Sequence, residues 1–239
     1  MRRVITAILL TLSAAPAGHA AGRFSAPAGC KVFATVQLRS CSVVQHYACN
    51  RDAPGDQWAA YQDGEGTFYL SRIDRETRWL ESYDMTTGIA DRLASERDPA
   101  SFSTLLKDGR DDYDFATRDS EGTVTRYSGF DRLTGRTILI DGQKLERTSF
   151  ELTARSEKGE FLWRRRGTQL ISRAWRVFWA EQEQFENALG DRITTTDTPA
   201  DFALPGEKGY LSTTPIYGCD AIMSAIPGET EPVSFGRAP

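Results

Sequence analysis

The sequence predicts an all-β fold: a single, strongly curved antiparallel meander, half-barrel or barrel-like, with one short helix and two disulfides. The first observation is the stretch from Arg110 to Ala180. Nearly every segment in it is rich in Thr, Val, Ile, Phe, Tyr and Trp, alternates with period two, and ends at a short polar turn. That is the patterning of consecutive antiparallel strands. The second is that the strands are apolar on both sides. Phe161 and Trp163 alternate with Leu162, Phe68 and Leu70 with Tyr69, and Trp175, Val177 and Trp179 with Phe178. An open sheet with one wet face would not carry them. A sheet curling into a barrel would, with one face in a core and the other lining a cavity or covered by a wrapping segment.

The third observation concerns Cys30, Cys41, Cys49 and Cys219. An even count outside an export signal reads as two disulfides. If 41–49 is one strand, its ends lie roughly 26 Å apart, beyond disulfide reach. Cys41 and Cys49 are therefore not partners, and one N-terminal cysteine must close a long loop to Cys219.

In chain order, residues 1–20 read as a secretory signal peptide: Met1-Arg2-Arg3, an apolar run from Val4 to Leu12, and small residues before a cut after Ala20. The run is shorter than the roughly 20 residues a membrane helix needs, so no membrane span is expected. Residues 21–29 read as a flexible tether, 30–226 as a single β-rich domain, and 227–239 as a disordered tail. The first strand signal is CSVVQHYAC at 41–49. Then QWAAYQ, TFYLSRI and RWLESYD follow, separated by turns at 63–66 and 74–77. A further strand is expected through Ile89 to Leu93. Asp98-Pro99 before ASFSTLLKDG predicts the helix, capped by Asp98 and ended by Gly109. The stretch 173–189 carries both a strand and a helix pattern, and 174–180 is taken as strand because it continues the aromatic alternation. The Pro- and Gly-punctuated remainder is expected to wrap the sheet.

Two stretches resemble each other. DQWAAYQDGEGTFYLSRIDRET (56–77) aligns with DYDFATRDSEGTVTRYSGFDRLT (112–134), sharing Glu-Gly-Thr and Asp-Arg-x-Thr. This reads as a repeated hairpin-plus-turn unit within one meander.

The charge balance limits function. Without the signal there are 27 basic and 33 acidic residues, a net charge of −6, which argues against a nucleic-acid partner. No Cys-x-x-Cys occurs and His46 is the single histidine after the signal, so neither a zinc site nor a Ser-His-Asp triad is expected. No cofactor-binding loop is present. Glu81 with Asp84, and the run Asp111-Asp112-Asp114, are the carboxylates that a two-carboxylate hydrolase would need. The architecture, though no motif, is similar to exported half-barrel carriers of lipids and lipoproteins. The leading expectation is a non-catalytic envelope protein, periplasmic or extracellular, binding a lipophilic or amphipathic ligand through Phe68, Trp79, Trp163, Trp175 and Trp179. A protein–protein module acting on another envelope protein, as inhibitor or assembly factor, is the alternative, and a two-carboxylate hydrolase the third.

Overall fold

The structure, a computed structural model, describes residues 23–220; the expected signal at 1–20 and tail at 227–239 lie outside them. The alternating stretches fold as β1 (Cys30–Leu38), β2 (Ser42–Cys49), β3 (Gln57–Gln62), β4 (Thr67–Ile73), β5 (Trp79–Asp84) and β6 (Ala90–Asp98). After helix α1 (Phe102–Asp108) come β7 (Arg110–Asp119), β8 (Val124–Ile140), β9 (Gln143–Ser156), β10 (Phe161–Ser172) and β11 (Val177–Asn187). β12 (Arg192–Thr196) and β13 (Pro199–Ala203) end the series. All thirteen strands form one antiparallel sheet in the order β12-β11-β10-β9-β8-β7-β6-β5-β4-β3-β2-β1-β13. The sequence signals omitted β1, β12 and β13. β1 does alternate, with Ala34, Val36 and Leu38 against Thr35 and Gln37, although its last five residues are all buried; the other two are five-residue edge strands.

Turn chemistry fixes the register. Asp141 and Gly142 both have positive φ (46° and 74°), the two-residue hairpin turn whose twist matches that of its strands. The internal repeat is a hairpin built twice. Asp63 Oδ1 accepts from the amides of Glu65 and Gly66 at 2.8 and 3.1 Å, and Asp119 Oδ1 from those of Glu121 and Thr123 at 2.9 and 2.8 Å. Glycine permits one close approach within the sheet. A Cβ on Gly129 would lie 2.1 Å from the Glu151 carbonyl oxygen and 2.9 Å from the Tyr113 ring, so the Tyr113 ring crosses the sheet where only glycine fits.

β12 and β13 sit at opposite edges of the sheet yet are joined by Asp197 and Thr198 alone. The ladder is not closed, but these two residues bridge its edges. The Asp197 amide donates to the Glu181 carbonyl on β11 at 3.2 Å, and the Thr198 carbonyl accepts from the Arg39 amide after β1 at 3.0 Å. The Ser40 hydroxyl donates to the Asp197 carboxylate. The sheet is thus rolled until two residues span its seam. A buried cluster joins the first strands (Ala34, Val36, Val44, Ala59) to the last ones (Leu170, Val177, Trp179, Phe202). On the other face Val32, Tyr47 and Ala60 are covered by Phe24, Tyr210 and Leu211. The C-terminal segment therefore both edges and wraps the sheet. Phe24, within the stretch read as a tether, donates its amide to Leu211 at 2.7 Å.

Two local assignments differ from the sequence reading. The helix cap is Ser101, whose hydroxyl accepts from the Thr104 amide; Asp98 ends β6. Gly109 is the C-cap as expected, with φ 78°. Residues 173–176 form a turn, so the strand begins at Val177 and runs through the helix-like AEQEQFEN to Asn187. Pairing with β10 and β12 on both sides outweighs the helical propensity of that stretch, as tertiary context commonly does. The disulfides are Cys30–Cys49, directly opposite each other on β1 and β2, and Cys41–Cys219.

Candidate functional site

The rolled sheet encloses a cavity of about 190 Å³. Side chains from every strand from β2 to β11 contribute to its wall, which requires the sheet to curve around it. Part of the wall is aromatic: Trp58, Tyr61, Trp79, Phe115, Phe150 and Phe178. Trp79 packs edge-on against Phe115 and Tyr127 with ring centroids 5.5 Å away. It is 45 % exposed, which places it where the cavity meets solvent.

Of the aromatic residues expected to bind a ligand, only Trp79 lines this space. Trp163 is buried against Tyr127 and Phe185. Trp179 is buried against Phe202 and Trp175, and Trp175 reaches Phe33 as well. Phe68 packs on Tyr61 from the next strand. These four contribute to packing around the cavity rather than to its lining.

The polar part of the wall is less balanced. Arg78 is held by Asp74 at 2.6 Å and by Glu96 at 3.2 Å. His46 is neutral: burial lowers its pKa to about 3, and its Nε2 accepts the Trp179 indole N–H at 3.1 Å. Asp131 and Gln169 both line the cavity, and Asp131 Oδ1 and Gln169 Oε1 are shielded atoms with no hydrogen-bond partner. Burial, and then the negative charge of Asp111, push the Asp131 carboxyl up to about 7, against the opposing effect of the Tyr113 hydroxyl. Burial also raises Tyr113.

Asp131 is the residue that sequence reasoning passed over, although it begins the second Asp-Arg-x-Thr. In the first copy Asp74 closes a turn, accepting from the Glu76 and Arg78 amides at 2.8 and 3.0 Å. In the second copy the chain does not turn. β8 continues through the motif, with its irregularity delayed to between Leu133 and Thr137, and Asp131 is left in mid-strand without amide donors. A turn residue set inside the apolar run YSGFDRL was the available signal.

The carboxylates considered for hydrolysis are occupied. Glu81 accepts from the Tyr83 hydroxyl at 2.6 Å and pairs with Arg72 at 3.0 Å, while Asp84 Oδ1 accepts the amides of Thr86 and Thr87. Asp112 pairs with Arg110 and Asp114 with Arg97. Asp111, directly opposite Asp131 on the neighbouring strand, accepts the Ser101 amide at 2.7 Å. Burial raises its pKa to about 6, with the charges of Asp98, Asp112 and Glu76 adding to the effect.

One end of the cavity is bordered by a clasp. Glu76, after β4, accepts from the Ser103 amide and hydroxyl, both at 2.8 Å, from the Ser101 hydroxyl at 3.2 Å, and from Arg176 at 2.9 Å. The β4–β5 turn, the start of α1 and the β10–β11 turn are thereby tied together. Thr77, Ala100 and Phe178, adjacent to those contacts in the chain or in space, are wall residues. Among the described residues no group of three or more His, Cys, Asp or Glu is placed to hold a metal, and no helix is long and apolar enough to cross a membrane. No family model, curated protein or solved structure matches the chain.

Proposed function

We propose that this is an exported, non-catalytic binding protein that holds a small lipophilic or amphipathic ligand inside its rolled sheet. The observation that carries this reading is a cavity with aromatic walls and two unpartnered acceptors, enclosed by the rolled sheet. Protein interiors leave few voids larger than a water molecule, and buried acceptors normally find donors. A space that breaks both habits in one place suits an occupant. Its size limits that occupant. An apolar cavity on the order of 150 Å³ accommodates benzene, so about 190 Å³ suits a molecule somewhat larger, not the whole of a two-chain lipid. Two disulfides support an oxidising compartment.

The hydrolase reading draws on the cross-strand pairing of Asp111 with Asp131. Asp111 is held by the Ser101 amide and is not a wall residue, so the two carboxyls do not face one substrate. The test of the binding reading is native mass spectrometry of detergent-free protein purified from the export fraction of its producing cells. A co-purifying small molecule, released on unfolding, is the expected result. A single mass equal to that of the oxidised polypeptide, with no uptake of added 2-phenylethanol, would overturn the reading.

A further inference from the structure

Resting on the binding reading, we infer that the ligand is a small organic ammonium ion, its charged nitrogen against Asp131 and its apolar body among Trp79, Phe115 and Phe150. The wall supplies the argument. Its one arginine, Arg78, already serves two carboxylates, Asp74 and Glu96. His46 carries no charge, and its Nε2 is occupied by Trp179. Asp131 has no cationic partner. The groups that face it are Asp111 and Tyr113 from β7 and uncharged Phe150 from β9, with Glu96, Arg78 and His46 sharing the cavity. The shielded polar side-chain atoms without a partner among these wall residues, Asp131 Oδ1 and Gln169 Oε1, are both acceptors. An occupant that brings donors satisfies them. For an anion, the charged groups of the wall are two carboxylates, Asp131 and Glu96, and an arginine that is already taken.

A neutral alcohol would satisfy one acceptor but leave the carboxyl uncompensated. An ammonium ion satisfies it, and aromatic faces such as Trp79 and Phe115 add attraction for a cation nearby. Asp131 and Gln169 are two strands apart, with Gln169 two residues further along the ladder, or roughly 12 Å on a flat sheet. One nitrogen thus reaches Asp131, and Gln169 is free for a second donor on the ligand or for water.

The linkage has a definite sign. Asp131 must be ionised to hold a cation, and in the empty protein its carboxyl titrates at about 7. Affinity for a cation falls as pH drops through that value, roughly tenfold between pH 8 and pH 6, whereas affinity for a neutral analogue does not.

The experiment is calorimetric titration of the full, oxidised protein with 2-phenylethylamine, 2-phenylethanol and phenylacetate, matched in size and different in charge. At pH 8 the amine is expected to bind at least tenfold more tightly than either of the others, and to lose that advantage at pH 6. Asp131→Asn, nearly the same shape, should bring the amine to the level of the alcohol and leave the alcohol within about threefold of wild type. Equal binding of amine and alcohol by wild type, or tighter binding of phenylacetate, overturns the inference without touching the binding reading; neither comparison depends on a variant. So does an amine preference that survives Asp131→Asn. If none of the three binds, the binding reading falls and this inference with it.

Discussion

The indole N–H of Trp179 on β11 donates to Nε2 of His46 on β2 at 3.1 Å, joining residues 133 apart in the chain within the cluster that ties the first strands to the last. Both side chains are buried. The bond requires a neutral imidazole, and burial lowers the His46 pKa from 6.5 to about 3 accordingly. The unfolded chain therefore binds a proton between these values that the folded chain does not. The His46 contribution to stability is complete above pH 6.5 and is lost as pH falls toward 3. By pH 5 the loss is about 2 kcal/mol. His46→Phe removes the titration and leaves the Trp179 N–H without a partner, which costs about 1–3 kcal/mol at pH 7. Urea unfolding of both proteins at pH 7 and pH 5 should show the gap between them narrowing at the lower pH. A constant gap would mean that His46 is protonated in the folded state or exposed to water.

Asp131 works in the opposite sense. Its folded pKa is raised to about 7 from the ordinary 3.8, so folding is penalised as pH rises from below 4 through 7. The penalty approaches about 4 kcal/mol above pH 7 and vanishes below the unfolded value. Asp131→Asn should accordingly stabilise the ligand-free protein at pH 8 and have little effect at pH 3.5. A variant less stable than wild type at pH 8 would show that the carboxylate has a partner in solution.

The two disulfides close very different loops, 178 residues for Cys41–Cys219 and 19 for Cys30–Cys49. In the chain-entropy treatment these correspond to about 5 and about 3 kcal/mol. Replacing Cys41 and Cys219 together by Ser should lower the thermal midpoint more than replacing Cys30 and Cys49. The reverse order would show that the seam next to Cys41, held by Ser40, Asp197 and Thr198, suffices to fix the C-terminal segment.

At the clasp, burial alone would raise the Glu76 carboxyl. The Ser103 amide and hydroxyl, Arg176 and Ser101 nevertheless hold it below the usual carboxylate range. Glu76→Gln keeps the size and removes the charge. Hydrogen exchange should accelerate in 101–108 and 173–176 together, with β8 to β10 unchanged. Acceleration in only one of the two segments would mean that Glu76 does not couple them.

Much of this fold is legible in the sequence because its signals are local. Asp141-Gly142, Asp63 and Asp119 specify hairpin turns by their own backbone and side-chain chemistry, and Gly109 ends the helix for the same reason. The exclusion of a Cys41–Cys49 bridge needed only the length of a strand. What was illegible depends on contacts between distant parts of the chain. In β1 the polar residues of the alternation, Thr35 and Gln37, are covered as well, because the C-terminal segment folds back onto them. AEQEQFEN is extended because β10 and β12 flank it. The site followed the same division. Aromatic residues could be picked out by type, but whether Trp163 or Trp79 meets the cavity depends on how far the sheet rolls. Asp131 looked like a turn residue because Asp74, its counterpart in the repeat, is one.

If the interior of the rolled sheet is a binding space, a crystal of the protein soaked with 2-phenylethanol will hold the ligand there. Electron density is expected for one aromatic ring in van der Waals contact with Trp79 and Phe150, inside the wall formed by β2 to β11. An interior closed by the side chains of Trp79, Phe115 and Phe150 upon one another, with the ring bound elsewhere or nowhere, would contradict it.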